Sequence, residues 1–128
     1  DDLVIALCTH RPVFPGHSLI IPKRHVERFE GLSDEEISRI GKVIKKVNDA
    51  TVNIFHTSAY LLLQKNGHEV GQTVPHVHFH YIPRKAEDSS VIKFLANMFL
   101  ANAKPPLSAA ESRKTANTMK QAIETLPP

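Results

Sequence analysis

A run of eleven residues at positions 74–84, Val-Pro-His-Val-His-Phe-His-Tyr-Ile-Pro-Arg, constrains this chain more than any other. From His76 to Ile82 histidines and apolar residues alternate strictly, and a β-strand sends alternate side chains to opposite faces. His76, His78 and His80 are therefore expected on one face, with Val77, Phe79 and Tyr81 on the other as core. Imidazole contributes little to packing, and three of the eight histidines fall within five residues. The histidine face reads as a site.

At 128 residues the chain is expected to be one domain, 1–128, large enough to bury a core. A formal charge of +3 is mild and spread along the chain, so it favours anionic ligands weakly and gives no reason to expect a specific nucleic-acid partner. The lone Cys8 excludes an intrachain disulfide framework and fits a reducing compartment, so a cytoplasmic location is expected. No apolar run approaches membrane-spanning length, and no signal peptide opens the chain. The first residue is Asp and residues 3–7 already read as a strand, so a further strand or helix is expected upstream.

Residues 3–7 form an apolar run expected to be a strand buried on both faces. Two prolines and a glycine make 9–16 a loop, and 17–21 a second strand stopped by Pro22, paired with the first as a hairpin. Lys23, Arg24, His25 and Arg28 cluster in what reads as a solvated turn. Ser33 with Glu36 makes a capping box, and Leu32 with Ile37 a hydrophobic staple. Ile37, Ile40, Ile44, Val47 and Thr51 then follow helical spacing, with Lys42, Lys45, Lys46 and Asn48 on the wet side, and the helix fades between 53 and 58. Residues 59–64 read as a third strand buried on both faces. Gly67 and Gly71 turn the chain into the histidine strand, completing an antiparallel meander of at least four. Asp88 or Ser89 is expected to cap a helix reaching Asn102, with Val91, Leu95 and Met98 on one side and Ile92 and Phe99 close by. Ser108 and Glu111 start another, whose thin stripe of Ala116, Met119 and Ile123 suits a helix lying on the surface or on a partner subunit.

Three chemistries compete for the histidine face. A metal site is limited by geometry: same-face neighbours lie roughly 6.5–7 Å apart along a strand, whereas zinc needs nitrogens at about 2.0–2.1 Å. Two histidines could share an ion if Cys8, His17 or His25 supplied a third ligand. Nucleophilic attack on phosphorus suits neutral imidazole, with His78 central and its neighbours orienting it or donating to oxygen. Upstream, Gly71-Gln72-Thr73-Val74 offers backbone N–H groups, an amide and a hydroxyl to an oxyanion. The third reading is a non-catalytic module that holds a nucleotide.

The segment His76-Val77-His78-Phe79-His80-Tyr81-Ile82 resembles the signature of the histidine triad (HIT) nucleotide-binding superfamily. Arg11-Pro12-Val13-Phe14-Pro15-Gly16-His17 and Leu19-Ile20-Ile21-Pro22-Lys23-Arg24-His25-Val26 resemble its amino-terminal hairpin. Asn66-Gly67, Gly71-Gln72-Thr73-Val74 and Ile82-Pro83-Arg84-Lys85-Ala86 also fit, so the resemblance covers residues 3–88, with 89–126 as a helical extension. It implies an α+β fold: an antiparallel sheet of four to five strands with one long helix, here with additional C-terminal helices, usually in a twofold homodimer. It also implies hydrolysis or transfer at a nucleotide α-phosphate. By position, His78 would be the nucleophile, His76 would hold its ring through a backbone contact, and His80 and His17 would complete the phosphate pocket. Gln72 and Thr73 would contact phosphate or leaving group, and residues near Thr9 and Ile21 would lie by base and ribose.

The Thr-Val-Pro-His and Pro-Arg-Lys-Ala ends resemble the fragile-histidine-triad branch, which cleaves dinucleoside polyphosphates such as diadenosine tri- or tetraphosphate. Nucleoside phosphoramidates and acyl-adenylates are the alternative substrates. Where that branch carries a glutamine seven residues before the Gly-Gln glutamine, this chain has Lys65, with Gln64 pointing oppositely. No metal held by the protein is expected; magnesium or another divalent ion would travel on the substrate's phosphates.

Overall fold

The computed structural model describes residues 1–85 and 90–127 and has the expected α+β architecture. Four strands, β1 (Val4–Cys8), β2 (Ser18–Pro22), β3 (Ala59–Gln64) and β4 (Phe79–Arg84), form one antiparallel sheet in the order β1-β2-β4-β3. Three helices follow the sequence signals: α1 (Asp34–Phe55), α2 (Val91–Leu100) and α3 (Ala109–Glu124). The sheet is not the simple meander expected. After β2 the chain leaves through α1 and returns on the far side, so β4 inserts between β2 and β3.

The capping box of α1 is present in full. The Glu36 N–H donates to Ser33 Oγ at 3.2 Å, and the Ser33 N–H donates to Glu36 Oε2 at 2.8 Å. Asp34, Glu35 and Glu36 place negative charge at the positive end of the helix dipole. Arg24 grips the same carboxylate at 2.9 and 2.8 Å. Hydrogen bonding from Arg24, then from the Ser33 backbone, holds the Glu36 carboxyl at about 2. The helix stops where His56 takes a left-handed conformation, φ 54°.

α1 packs on β1 and β2, setting Ile40, Val47 and Ala50 against Val4, Ile20, Val77 and Tyr81. Tyr81 is fully buried and donates its hydroxyl to Asn48 Oδ1 at 3.0 Å. Asn48 therefore leaves the wet side to which its spacing assigned it: a buried phenol needs a partner, and the helix supplies one. Ile37 of the expected stripe is exposed, whereas Met119 of α3 joins the core and α3 lies on α1 and β1 of its own chain.

Two strands expected to be buried on both faces are edge strands instead. Ile5 and Leu7 of β1 and Tyr60 and Leu62 of β3 are each more than 40% exposed. A continuous apolar run signals double burial only when both faces are covered, and the helices of this fold do not cover these residues. In α2 the buried residue is Phe94, stacked on Phe14, while Val91, Ile92, Leu95 and Phe99 face outward. Its cap is Ser90; the expected caps Asp88 and Ser89, and Ala86, lie outside the described residues.

Candidate active site

The histidine segment is half strand and half irregular chain. Ladder pairing with β2 ends at Ile20 opposite Phe79. Two residues on, β2 reaches Pro22, which has no N–H to donate. The Val77 N–H turns instead to the Val26 carbonyl at 2.7 Å, and the His76 N–H closes on Val74 O at 2.8 Å. β4 therefore begins at Phe79 and not at His76, where the alternation starts. Val77 and Tyr81 are fully buried and the three histidines half-buried. The histidines do not form one cluster.

His80 is the junction of one group. Its Nδ1 lies 3.0 Å from His17 Nε2, and its ring meets the His78 ring edge-on with centroids 5.0 Å apart. His78 Nδ1 lies 2.8 Å from the His76 carbonyl oxygen. A carbonyl only accepts, so Nδ1 carries the proton and Nε2 of neutral His78 keeps its lone pair. The His76 ring turns away: Nε2–H donates to the Pro22 carbonyl at 2.8 Å, and Nδ1 lies 3.4 Å from His25 Nδ1. His25, drawn as part of a solvated turn, thus meets the triad edge-on.

His17 reaches the group because Gly16 precedes it at φ +89°, where a Cβ would come within 2.7 Å of the Phe55 ring. The His17 N–H donates to Phe14 O at 3.0 Å, and Thr9 N–H donates to His17 O at 3.2 Å. Only 5% of His17 is exposed. Burial first, then the neighbouring His80, hold His17 at about 4. Burial, then His78, then Lys65 do the same to His80. Both are neutral at pH 7.

Lys65 is therefore close enough to act on His80. Cross-strand partners share a face, Leu63 pairs with His80, and Lys65 lies two residues beyond Leu63. The same rule lines up Leu7, Leu19, His80 and Leu63 in one row across the sheet. With Ile5 and Ile21 they make an open apolar ledge beside the imidazoles.

Other expected contact residues are committed elsewhere. Gln72 accepts from the Gly67 N–H and donates to the Glu27 carbonyl, both at 2.7 Å. Asn66 accepts from the Phe29 N–H at 2.8 Å and bonds Gln64. Together they tie the β3–β4 connection to the turn after β2, so their side chains build the rim before they can read a ligand. Gly71 ends a 3-10 turn at φ 82°, and Thr73 and Val74 are exposed beside it. Thr9 Oγ1 accepts from the Arg11 N–H at 3.3 Å. Cys8, one of three candidates for a third ligand in the metal reading, pairs with Ser18 and faces the Tyr81 side of the sheet, where burial pushes its thiol up. Among the described residues no three His, Cys, Asp or Glu side chains converge to hold a metal ion. A cavity of about 580 Å³ between α3 and β1 has no histidine in its lining. Among the same residues no helix is long and apolar enough to cross a membrane.

Residues 1–87 match the family model described as the HIT domain. An uncharacterised HIT-like protein of Methanocaldococcus jannaschii is 38% identical over 94 residues, 73% of this chain and 72% of that protein. The bis(5'-nucleosyl)-tetraphosphatase [asymmetrical] of Schizosaccharomyces pombe is 40% identical over 88 residues, 69% of this chain but 48% of that enzyme, so the match spans about half of its length. The crystal structure of the C. elegans NitFhit protein superposes with a TM-score of 0.78 at 27% identity, covering 95% of this chain and 26% of that one. With the family model spanning residues 1–87 and the sheet, long helix and histidines in place, this chain belongs to the HIT domain family.

Proposed function

We propose that this protein hydrolyses nucleotides at the α-phosphate through a nucleotidyl-histidine on His78, and that its substrates are dinucleoside polyphosphates such as diadenosine tri- or tetraphosphate. One observation carries the reading. The His76 carbonyl accepts from Nδ1–H of His78 across 2.8 Å, so in the neutral ring the lone pair lies on Nε2, beside neutral His80. Attack by Nε2 on the α-phosphorus forms the P–N bond and expels the remaining nucleotide. Water then cleaves that bond in a second displacement and releases a nucleoside monophosphate. Charge spreads over the phosphoryl oxygens as this happens, so a donor at His80 and the cation of Lys65 stabilise it. The apolar ledge of Leu7, Leu19 and Ile21 suits the flat face of a base. A divalent ion, where one is used, rides on the substrate's phosphates.

The substrate class is tested by rates on a panel of dinucleoside polyphosphates, nucleoside phosphoramidates and acyl-adenylates. The reading expects the dinucleotides to turn over fastest. Faster phosphoramidate cleavage would move the chain to the alternative branch, and binding without any turnover would make it a nucleotide-binding module. We also propose a homodimer, because β3 lies at the sheet edge with Tyr60 and Leu62 uncovered. Light scattering at micromolar concentration should return twice the 14.3 kDa chain mass; a monomer alone would count against it.

A further inference from the structure

We propose that His17 is a positioning residue that never touches substrate: the main-chain N–H of Val13 sets its tautomer, and His17 in turn obliges His80 to present Nε2–H to the phosphate. The proposal rests on the nucleotide-hydrolase reading of this site and specifies how one of its donors is made.

Both ring nitrogens of His17 are already engaged. The Val13 N–H lies 3.1 Å from His17 Nδ1, and His17 Nε2 lies 3.0 Å from His80 Nδ1. An amide N–H can only donate, so Nδ1 of His17 must offer its lone pair. Neutral His17 then carries its proton on Nε2 and donates it to His80 Nδ1. His80 therefore accepts at Nδ1 and keeps its single proton on Nε2. The direction runs one way from Val13 through His17 to His80, and no step leaves a choice. The low proton affinity of both imidazoles, set first by burial, removes the charged forms that would blur this count.

The direction matters because a free imidazole interchanges its two tautomers easily, and only one suits an anionic oxygen. An Nε2–H donates to phosphate, whereas an Nε2 lone pair repels it. His78 needs the opposite arrangement, and the His76 carbonyl imposes it. Two adjacent histidines are thus set to opposite tautomers by one backbone donor and one backbone acceptor. The loop carrying Val13 is suited to the task. Pro12 and Pro15 limit its backbone freedom, and the bonds from His17 N–H to Phe14 O and from Thr9 N–H to His17 O hold it against the strand. No proton need move along this path: it is a fixed chain of hydrogen bonds, not a shuttle.

Nitrogen-15 NMR of the histidine-labelled resting protein at pH 7 tests the arrangement directly. His17 and His80 should each be protonated at Nε2 and bare at Nδ1, and His78 the reverse. A proton on His17 Nδ1 would overturn the proposal whatever the protein hydrolyses. The kinetic arm uses two variants whose spectra also report their fold. In His17→Gln the side-chain oxygen can accept from Val13 and the amide can donate to His80, so kcat should fall by about tenfold or less. His17→Leu breaks the chain, and kcat should drop about 10²-fold with KM little changed, while His80 loses its tautomer preference. Equal losses in the two variants would assign His17 a proton-transfer role and overturn the proposal. If the tautomers are as stated but wild type turns over no nucleotide, the hydrolase reading fails and the hydrogen-bonded chain stands.

Discussion

Acidification from pH 7.5 to 5 should destabilise this protein through His17 and His80. Each is held at about 4 in the fold against an ordinary value of 6.5. A group whose proton affinity is lowered by folding binds protons more readily in the unfolded chain. Stability is therefore full above about pH 6.5, falls as pH drops through that value, and levels off below about 4. At pH 5 an unfolded histidine is almost fully charged and the folded one neutral, which is worth about 2 kcal/mol per residue. The two together give about 4 kcal/mol as an upper figure, since part of the His17 effect arises from His80. Set against a typical total of about 5–15 kcal/mol, the loss is large. Carboxylates do not obscure it. Glu36 at about 2, and Glu30 and Glu111 below their usual range, lose their contribution only as pH falls below about 4.5. Urea denaturation across this range should show the midpoint dropping by about 2 M, taking m near 2 kcal/mol per molar. A His17→Gln/His80→Gln double variant should lose most of that dependence. Parallel curves for wild type and the double variant would refute the reasoning, as would a wild type that gains stability on acidification.

Gly16→Ala should destabilise the fold by about 1–3 kcal/mol, because φ is +89° and the new Cβ meets Phe55 at 2.7 Å. A change under about 0.5 kcal/mol in urea denaturation would show that the loop carrying His17 yields freely. Lys65→Gln should lower the ratio of polyphosphate to phosphoramidate turnover several-fold and raise the proton affinity of His80, since Lys65 helps depress it. An unchanged ratio would place the lysine outside leaving-group recognition.

Much of the scaffold was legible because its signals are local. Ser33 and Glu36 start α1, Ser108 and Glu111 start α3, and the glycines and prolines mark the turns. The His–apolar alternation marked the candidate site, but the break in its strand depends on Pro22, more than fifty residues earlier in sequence, meeting the segment across the sheet. The same limit applies to the partners that set the site's chemistry. The Val13 N–H, the His76 carbonyl and the Pro22 carbonyl are backbone groups that any residue type would have supplied. Gln72 and Asn66 carry side chains suited to a ligand, yet the connection they sit in uses them first. The apolar runs of β1 and β3 suggested burial because residue type reports what a strand can cover, not whether another layer arrives to cover it.

The central claim is that His78 takes the nucleotide covalently, and trapping that adduct tests it most directly. Rapid quench of wild type with labelled diadenosine triphosphate, followed by digestion and mass spectrometry, should place an adenylyl group on the peptide containing His78. His78→Asn keeps a polar side chain but removes the attacking nitrogen, so it should bind nucleotide normally, form no adduct and lose several orders of magnitude in turnover. An adduct on another residue, or a His78→Asn variant that still turns over substrate at the wild-type rate, would contradict the account.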